Sequence, residues 1–211
     1  MYRAVITGDI MGSSNYGGRA KRAYLDTILT TALKNIFTAK KDKTDIYRGD
    51  SFQIETDATQ VLRKAIQLRT FIIKESDGAT DAYLAIGIGK ILYEANTTKQ
   101  SDGEAYQLSG KTFEQLQKGI NMQMKTAWTD WNGLFNAIAI LCDSILNNLT
   151  DNQAEAIYHS LFDNKTQTKI AKELNLKQSS ISARLKGGHF DALKEAIENY
   201  ENTLIKIMKK A

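Results

Sequence analysis

The sequence predicts an α+β protein in which a ferredoxin-like βαββαβ domain precedes an all-α helix-turn-helix domain. Three observations carry this reading. In the first 128 residues, β-prone runs (YRAVIT, TDIY, SFQIE, DAYLAIGIGKILYEA) alternate with segments of helical apolar period. After Thr150 the strand patterns stop and only helical ones follow. Within these, Ile170, Ala171, Leu174, Leu176, Ile181 and Leu185 fall at the spacing of a helix, a tight turn and a second helix. The expected plan is residues 1–128 as the α+β domain, 129–149 as a connecting helix and 150–211 as the helix-turn-helix domain.

Composition bounds the function classes. The chain has 211 residues, 42% of them apolar and 25% charged, as in ordinary globular proteins. No apolar run approaches a membrane span, and MYRAVITGD leads into a strand rather than reading as a secretory signal. The single cysteine, Cys142, sits in an apolar helical pattern, which fits a cytoplasmic protein and a packing role. No Cys/His cluster suggests zinc. The net charge of +4 permits nucleic-acid binding without requiring it.

The elements follow in order. Tyr2 to Asp9 reads as a buried strand, and MGSSNYGG after it as a glycine- and serine-rich loop whose amides can cradle a phosphate. Arg19 to Thr38 is helical, with Leu25, Ile28, Leu29, Ala32, Leu33 and Ile36 on one face and the cations Arg19, Lys21 and Arg22 in its first turns. Cations there oppose the helix dipole and slightly favour a phosphate partner, while solvated charge is the commoner explanation. Thr44 to Glu55 is a hairpin around Gly49-Asp50, and Ala58 to Ile73 a second amphipathic helix. Asp81 to Ala95 is a strand whose two glycines imply a bend or a close backbone approach. Tyr106 to Lys118 reads as a third helix, Asn121 to Trp128 as a short edge strand, and Asn132 to Leu149 as the connecting helix or a surface for a second subunit, with a helix packed on its own sheet as the commoner outcome of such a pattern. Thr150 or Asp151 caps the next helix. In the helix-turn-helix, Ala171 is expected at the helix crossing and Leu176 plugged into the core.

Two Gly-Asp pairs stand out, Gly8-Asp9 at the end of the first strand and Gly49-Asp50 at the hairpin tip. Oxygen ligands at the ends of separate strands suit a hard divalent cation that keeps waters for phosphate groups. Ordinary turn chemistry explains the same pairs. Near the C-terminus, Lys177, Gln178, Ser179, Ser180, Ser182, Arg184 and Lys186 form a stretch without acidic residues, short enough in its serines to approach a phosphate or base edge. A small helical module that contacts protein is the competing reading.

The stretches VITGDIMGS, YRGDSFQ, AIGIGK and GEAYQLSGKTFEQL, followed by the helix-turn-helix, resemble the SatD family of bacterial proteins over essentially the whole chain. The N-terminal half is more distantly similar to class III nucleotidyl cyclases and related palm domains, whose first strand ends in Asp-Ile and whose Gly-Asp hairpin supplies a second carboxylate. That resemblance implies a palm/cyclase-like domain with Mg²⁺ or Mn²⁺ on Asp9 and Asp50, and the Ile10 carbonyl as a further ligand. It implies a nucleoside triphosphate or related nucleotide beside Met11, Gly12, Ser13, Ser14 and Gly49, and a site completed across a homodimer. The chain departs from the cyclase pattern elsewhere. Ile46 stands where adenylyl cyclases carry a base-reading lysine, and Gln107 where they carry a base-reading aspartate. Glu114 replaces an asparagine, and Lys118 replaces the arginine that stabilises the transition state, as a point charge without the guanidinium fork.

Three functions remain open from sequence. One is a metal-dependent nucleotidyl cyclase or nucleotidyltransferase. Another is a catalytically inactive, nucleotide-sensing transcription regulator that binds DNA through its C-terminal domain. The third is a protein-interaction module with no nucleotide.

Overall fold

A computed structural model describes residues 2–12, 19–47, 50–162 and 165–210, with backbone alone at 19–22. The strand β1 (Tyr2–Ile10) lies in the middle of the sheet, antiparallel to β3 (Ser51–Thr56) on one side and to β4 (Ala82–Tyr93) on the other. β2 (Lys43–Tyr47) pairs with the outer edge of β3. With α1 (Arg19–Ile36) between β1 and β2 and α2 (Val61–Glu75) between β3 and β4, the order β2-β3-β1-β4 is that of a split βαβ unit. A two-residue strand, β5 (Asp102–Gly103), pairs with the end of β4. β6 (Met122–Thr126) runs parallel to β4 along its far edge.

Alternation along β1 divides the sheet into two chemically different faces. Ala4, Ile6 and Ile10, with Phe52, Ile54, Leu84, Ile86 and Ile88, join the core beneath α1 and α2. The opposite face carries Arg3, Val5, Thr7 and Asp9, with Ser51, Gln53 and Glu55 across from them on β3. It is partly covered by α3 (Glu104–Glu114), where Val5, Ala105 and Tyr106 make a small second cluster. Tyr106 donates to the buried Glu55 carboxylate at 2.7 Å, and Arg3 reaches the same carboxylate at 3.1 Å.

The glycines of β4 serve a close approach, and the strand runs unbroken from Ala82 to Tyr93. A Cβ on Gly87 would lie 2.2 Å from the Ala105 carbonyl oxygen and 2.4 Å from the Ser109 nitrogen, so α3 can rest on the sheet only where that side chain is missing. The α3 helix ends at Glu114, four residues before the expected Lys118. The chain must turn there to feed β6, and it does so through Gln117–Ile120, with the Ile120 amide on the Gln117 carbonyl at 3.0 Å and Gly119 at φ +88°. Lys118 therefore sits on an exposed turn and not on a helix.

Next, α4 (Asn132–Leu146) covers the open edge of the sheet. The side-chain carbonyls of Asn132 and Asn136 accept the Thr126 and Met124 amides at 2.6 Å and 3.0 Å. Amides that would otherwise invite another strand are thus occupied. Thr150 is the N-cap of α5 (Asp151–Phe162): its hydroxyl accepts the Gln153 amide, and the Gln153 side chain accepts the Thr150 amide at 3.0 Å.

The C-terminal helices share a core with the sheet layer. Phe71 of α2 meets Tyr158 of α5 edge-on at 5.2 Å, and Gln67 donates to the Leu161 carbonyl at 3.1 Å. From α8 (Phe190–Met208), Tyr200 donates to the Ala58 carbonyl at 2.6 Å and Glu201 pairs with Arg63 at 2.9 Å. Between α5 and α8, α6 (Gln167–Glu173) and α7 (Gln178–Gly187) are joined by a tight turn. Asn175 is left-handed at φ +54°, and the Leu176 amide returns to the Ala171 carbonyl at 2.8 Å, closing a Schellman motif. Ala171, Ile181 and Leu185 are buried as expected, but Leu176 is 37% exposed. That turn consumes the Leu176 backbone and leaves its side chain at the rim. Among the described residues, no helix is long and apolar enough to cross a membrane.

Candidate metal and nucleotide site

The end of β1 is where the sequence-derived candidates converge. Asp9 lies opposite Ser51 on β3 and Tyr83 on β4. The Ser51 hydroxyl donates to Asp9 Oδ1 at 3.1 Å, and the Ile10 amide donates to the Asp50 carbonyl at 3.2 Å. Asp50 is thereby held at the mouth of the hairpin beside Asp9. Burial raises the pKa of Asp9 above the ordinary carboxylate value and the charge of Asp50 raises it further; hydrogen bonds from Ser51 and the Ile10 backbone act the other way.

The Ile10 side chain is buried in the core, so only its backbone can meet a ligand. Its amide points at Asp50, and in an extended strand the carbonyl of the same residue faces the same side. The Met11 amide is already bonded to the Asp81 carbonyl at 2.9 Å, and the Met11 carbonyl accepts the Thr80 hydroxyl at 2.7 Å. Gly12 follows at φ +65° and is exposed. Both line a cavity of about 420 Å³ with Thr80, Asp81 and Asn147. Ser13, Ser14 and Gly49 lie outside the described residues, as do the side chains of Arg19, Lys21 and Arg22. Gly8 has a packing reason of its own. A Cβ there would lie 2.4 Å from the Phe52 ring.

Gln107 is exposed on α3 and lines a cavity of about 320 Å³ with Tyr47 and Gln53, on the sheet face that carries Asp9. Gln53 also reaches Thr7, and Thr7 bonds Ser109 at 3.0 Å, so a polar seam runs from Asp9 toward this cavity. Lys118 is more distant. Its turn feeds β6, two strands across from Ile10, or roughly 10 Å by sheet spacing. Glu114 is exposed at the end of α3. Among the described residues, no group of three or more His, Cys, Asp or Glu gathers as a metal cluster.

On the other candidate surface, Lys177 at the N-cap of α7 and Gln178, Ser179, Ser182 and Lys186 within it are exposed, and Ser180 is half-buried. Gln178 bonds Gln167 of α6 at 2.5 Å. Arg184 is half-buried and pairs with Glu155 of α5 at 2.8 Å.

The sequence reading missed a buried ionic cluster next to the Met11 turn. Arg69 of α2 is 0% exposed; it grips both oxygens of Asp81, with Nε to Oδ1 at 2.9 Å. It also donates to Asp143 at 2.5 Å and to Asn147 at 2.7 Å, both on or just after α4. Burial alone would lower the Arg69 pKa, but Asp81 and then Asp143 outweigh it and hold the guanidinium charged. The second Asp143 oxygen accepts the Asn121 amide at 2.9 Å. A cation at an apolar-face position of α2 and an acid inside the run ILCDSIL were the available signal.

No family model matches the chain, and no curated protein does. Solved structures similar to it include two of bacterial light-regulated adenylyl cyclases. One is 12% identical with a TM-score of 0.42, over 58% of this chain and 74% of that one. The other is 11% identical with a TM-score of 0.46, over 59% of this chain and 43% of that one. A guanylyl cyclase structure is 13% identical with a TM-score of 0.42, over 62% of this chain and 77% of that one. These are distant likenesses of fold.

Proposed function

We propose that the end of β1 binds a divalent cation and, through it, the phosphates of a nucleotide. The observation that carries this reading is the Asp9–Asp50 pair at the ends of β1 and the hairpin, in which burial and then the neighbouring Asp50 charge raise the Asp9 pKa. A bound Mg²⁺ or Mn²⁺ removes that cost, and the donor set fits it: two carboxylates and the Ile10 carbonyl, all hard oxygen donors. When bound, such an ion neutralises phosphate charge and, in an enzyme, lowers the pKa of an attacking hydroxyl. Asp9 and Asp50 hold the ion, Gly12 leaves room for phosphate oxygens, and Gln107 faces the base from the Tyr47 cavity. Binding needs nothing from Lys118. Turnover in the manner of the cyclases that the N-terminal half resembles would ask Lys118 to supply transition-state charge.

Residues 150–211 form the second half of the proposal, a unit that contacts DNA through α7, with 129–149 as the connection. The observation favouring it is the exposed Lys177, Gln178, Ser179, Ser182 and Lys186 on one short helix and its N-cap, with no acidic residue from Asn175 to Phe190. A second copy of the chain would cover Leu141 of α4, which is 68% exposed.

The test is thermal unfolding against ATP, GTP, CTP and UTP, each with Mn²⁺, on the wild type and on Asp50→Ala. A ligand that binds only the folded state raises the midpoint by mass action. One nucleotide raising the midpoint in the wild type and not in the variant supports the site, and justifies a search for a cyclic product. No rise with any nucleotide rejects it.

A further inference from the structure

We propose that the cleft between the start of α4 and the end of α8 binds an amphiphilic organic anion, an apolar body with a single carboxylate or equivalent head. The cleft has a volume of about 490 Å³, within the range of small-molecule sites. Trp128, Trp131, Leu134 and Ile207 form its walls. Trp131 and Leu134 remain 38% and 47% exposed, so the apolar surface is not used up by the fold. Lys206 and Lys210 stand over it, one helical turn apart on the same side of the chain end.

Charge complementarity decides the occupant. No residue lining the cleft is acidic, and neither lysine ammonium group has a hydrogen-bond or ion-pair partner among the described residues. Lysines near a helix C-terminus often do no more than offset the dipole. Here, however, they border two indoles. A neutral apolar partner would cover two unpaired ammonium groups at a desolvation cost, whereas an anionic head offsets that cost.

The site is separate from the Asp9 end of the sheet. The Trp128 ring lies tilted against Tyr2, the first residue of β1, at 4.5 Å between centroids, and β1 extends roughly 23 Å from there to Asp9 at strand rise. Behind the cleft, Phe135 of α4 meets Tyr200 of α8 at 5.3 Å. An occupant therefore touches the sheet layer and the last helix at once.

The chain has two tryptophans and both line the cleft, so intrinsic fluorescence reports its occupancy directly. The probe is decanoate, held below its self-association range, with decanol and decyltrimethylammonium as matched neutral and cationic chains. Decanoate is expected to give a saturable change in emission and a higher unfolding midpoint, to bind roughly fivefold to tenfold more tightly than decanol, and to have no counterpart with the cation. The variant Lys206→Gln/Lys210→Gln, altered only at exposed positions, should remove the preference for decanoate while keeping the weaker decanol response. Leu134→Glu should abolish both. Equal binding of decanoate and decanol, or no saturable change with either, overturns the proposal. So does an emission change that follows protein concentration with a doubling of mass, which would assign the cleft to a second copy of the chain.

Discussion

The Asp81 carboxylate grips the buried Arg69 guanidinium while the Asp81 carbonyl holds the Met11 amide at 2.9 Å. One residue thus ties the turn after β1 to an ionic cluster shared by α2 and α4. Replacing Arg69 with Met leaves the buried Asp143 and the half-buried Asp81 without a counter-charge, so the expected loss of stability is about 3–5 kcal/mol. Arg69→Lys should lose less, because it keeps the charge and forfeits only the fork. Urea unfolding of both variants measures the difference, and equal losses would show that charge plays no part.

Asp9 gives a pH prediction whose sign follows from its environment. Its folded pKa lies above the unfolded value near 3.8, so the associated stability is present below that value and is lost as pH rises through the folded pKa. Without divalent cations, Asp9→Asn should be more stable than wild type at neutral pH, and this advantage should vanish on acidification. Added Mn²⁺ should reverse the order. Melting curves from pH 3 to pH 7 test this, and a difference that is independent of pH would sink the account.

Gly87 lies on β4 beneath α3, whereas Gly110 belongs to α3 itself. Gly87→Ala places a methyl against the α3 backbone and should destabilise by about 1–3 kcal/mol or more. A Cβ on Gly110 meets nothing within 4 Å, so Gly110→Ala should stabilise by roughly 0.5–1 kcal/mol. Denaturant midpoints of the two variants should move in opposite directions.

DNA binding, if α7 carries it, should separate its cations. Lys177→Ala and Lys186→Ala should each weaken binding and reduce the salt slope by about 1. Arg184→Ala should change the slope less, because its guanidinium is occupied by Glu155 at 2.8 Å. Titrations of a duplex at several salt concentrations would show this, and equal slopes in all three variants would argue against α7 as the contact.

Much of the architecture was legible because period and punctuation agree over whole elements. The apolar face of α2, the β-prone runs of β2 and β3 and the apolar spacing of α6 and α7 each name their own local structure. Where local signals conflicted, the sequence reading erred. Leu176 looked like a core residue by spacing, yet the Schellman turn at Asn175 fixes its backbone and turns the side chain outward. Lys118 continued the α3 pattern, but connecting to β6 demands a turn, and Gly119 supplies it. Of the candidate site, the carboxylates at Asp9 and Asp50 were readable from their strand-end positions. Their mutual influence, and the Met11 amide's engagement with Asp81, were not.

The sequence by itself determined the order of strands and helices and the placement of Asp9 and Asp50 at strand ends, because these depend on residues close together along the chain. Only the tertiary structure decided that Arg69 is buried among Asp81, Asp143 and Asn147, that α3 rests on Gly87, and that Trp128 and Trp131 meet Lys206 and Lys210. Such contacts join residues dozens of positions apart, and the physics that selects them, desolvation and close packing, acts only once the layers have met.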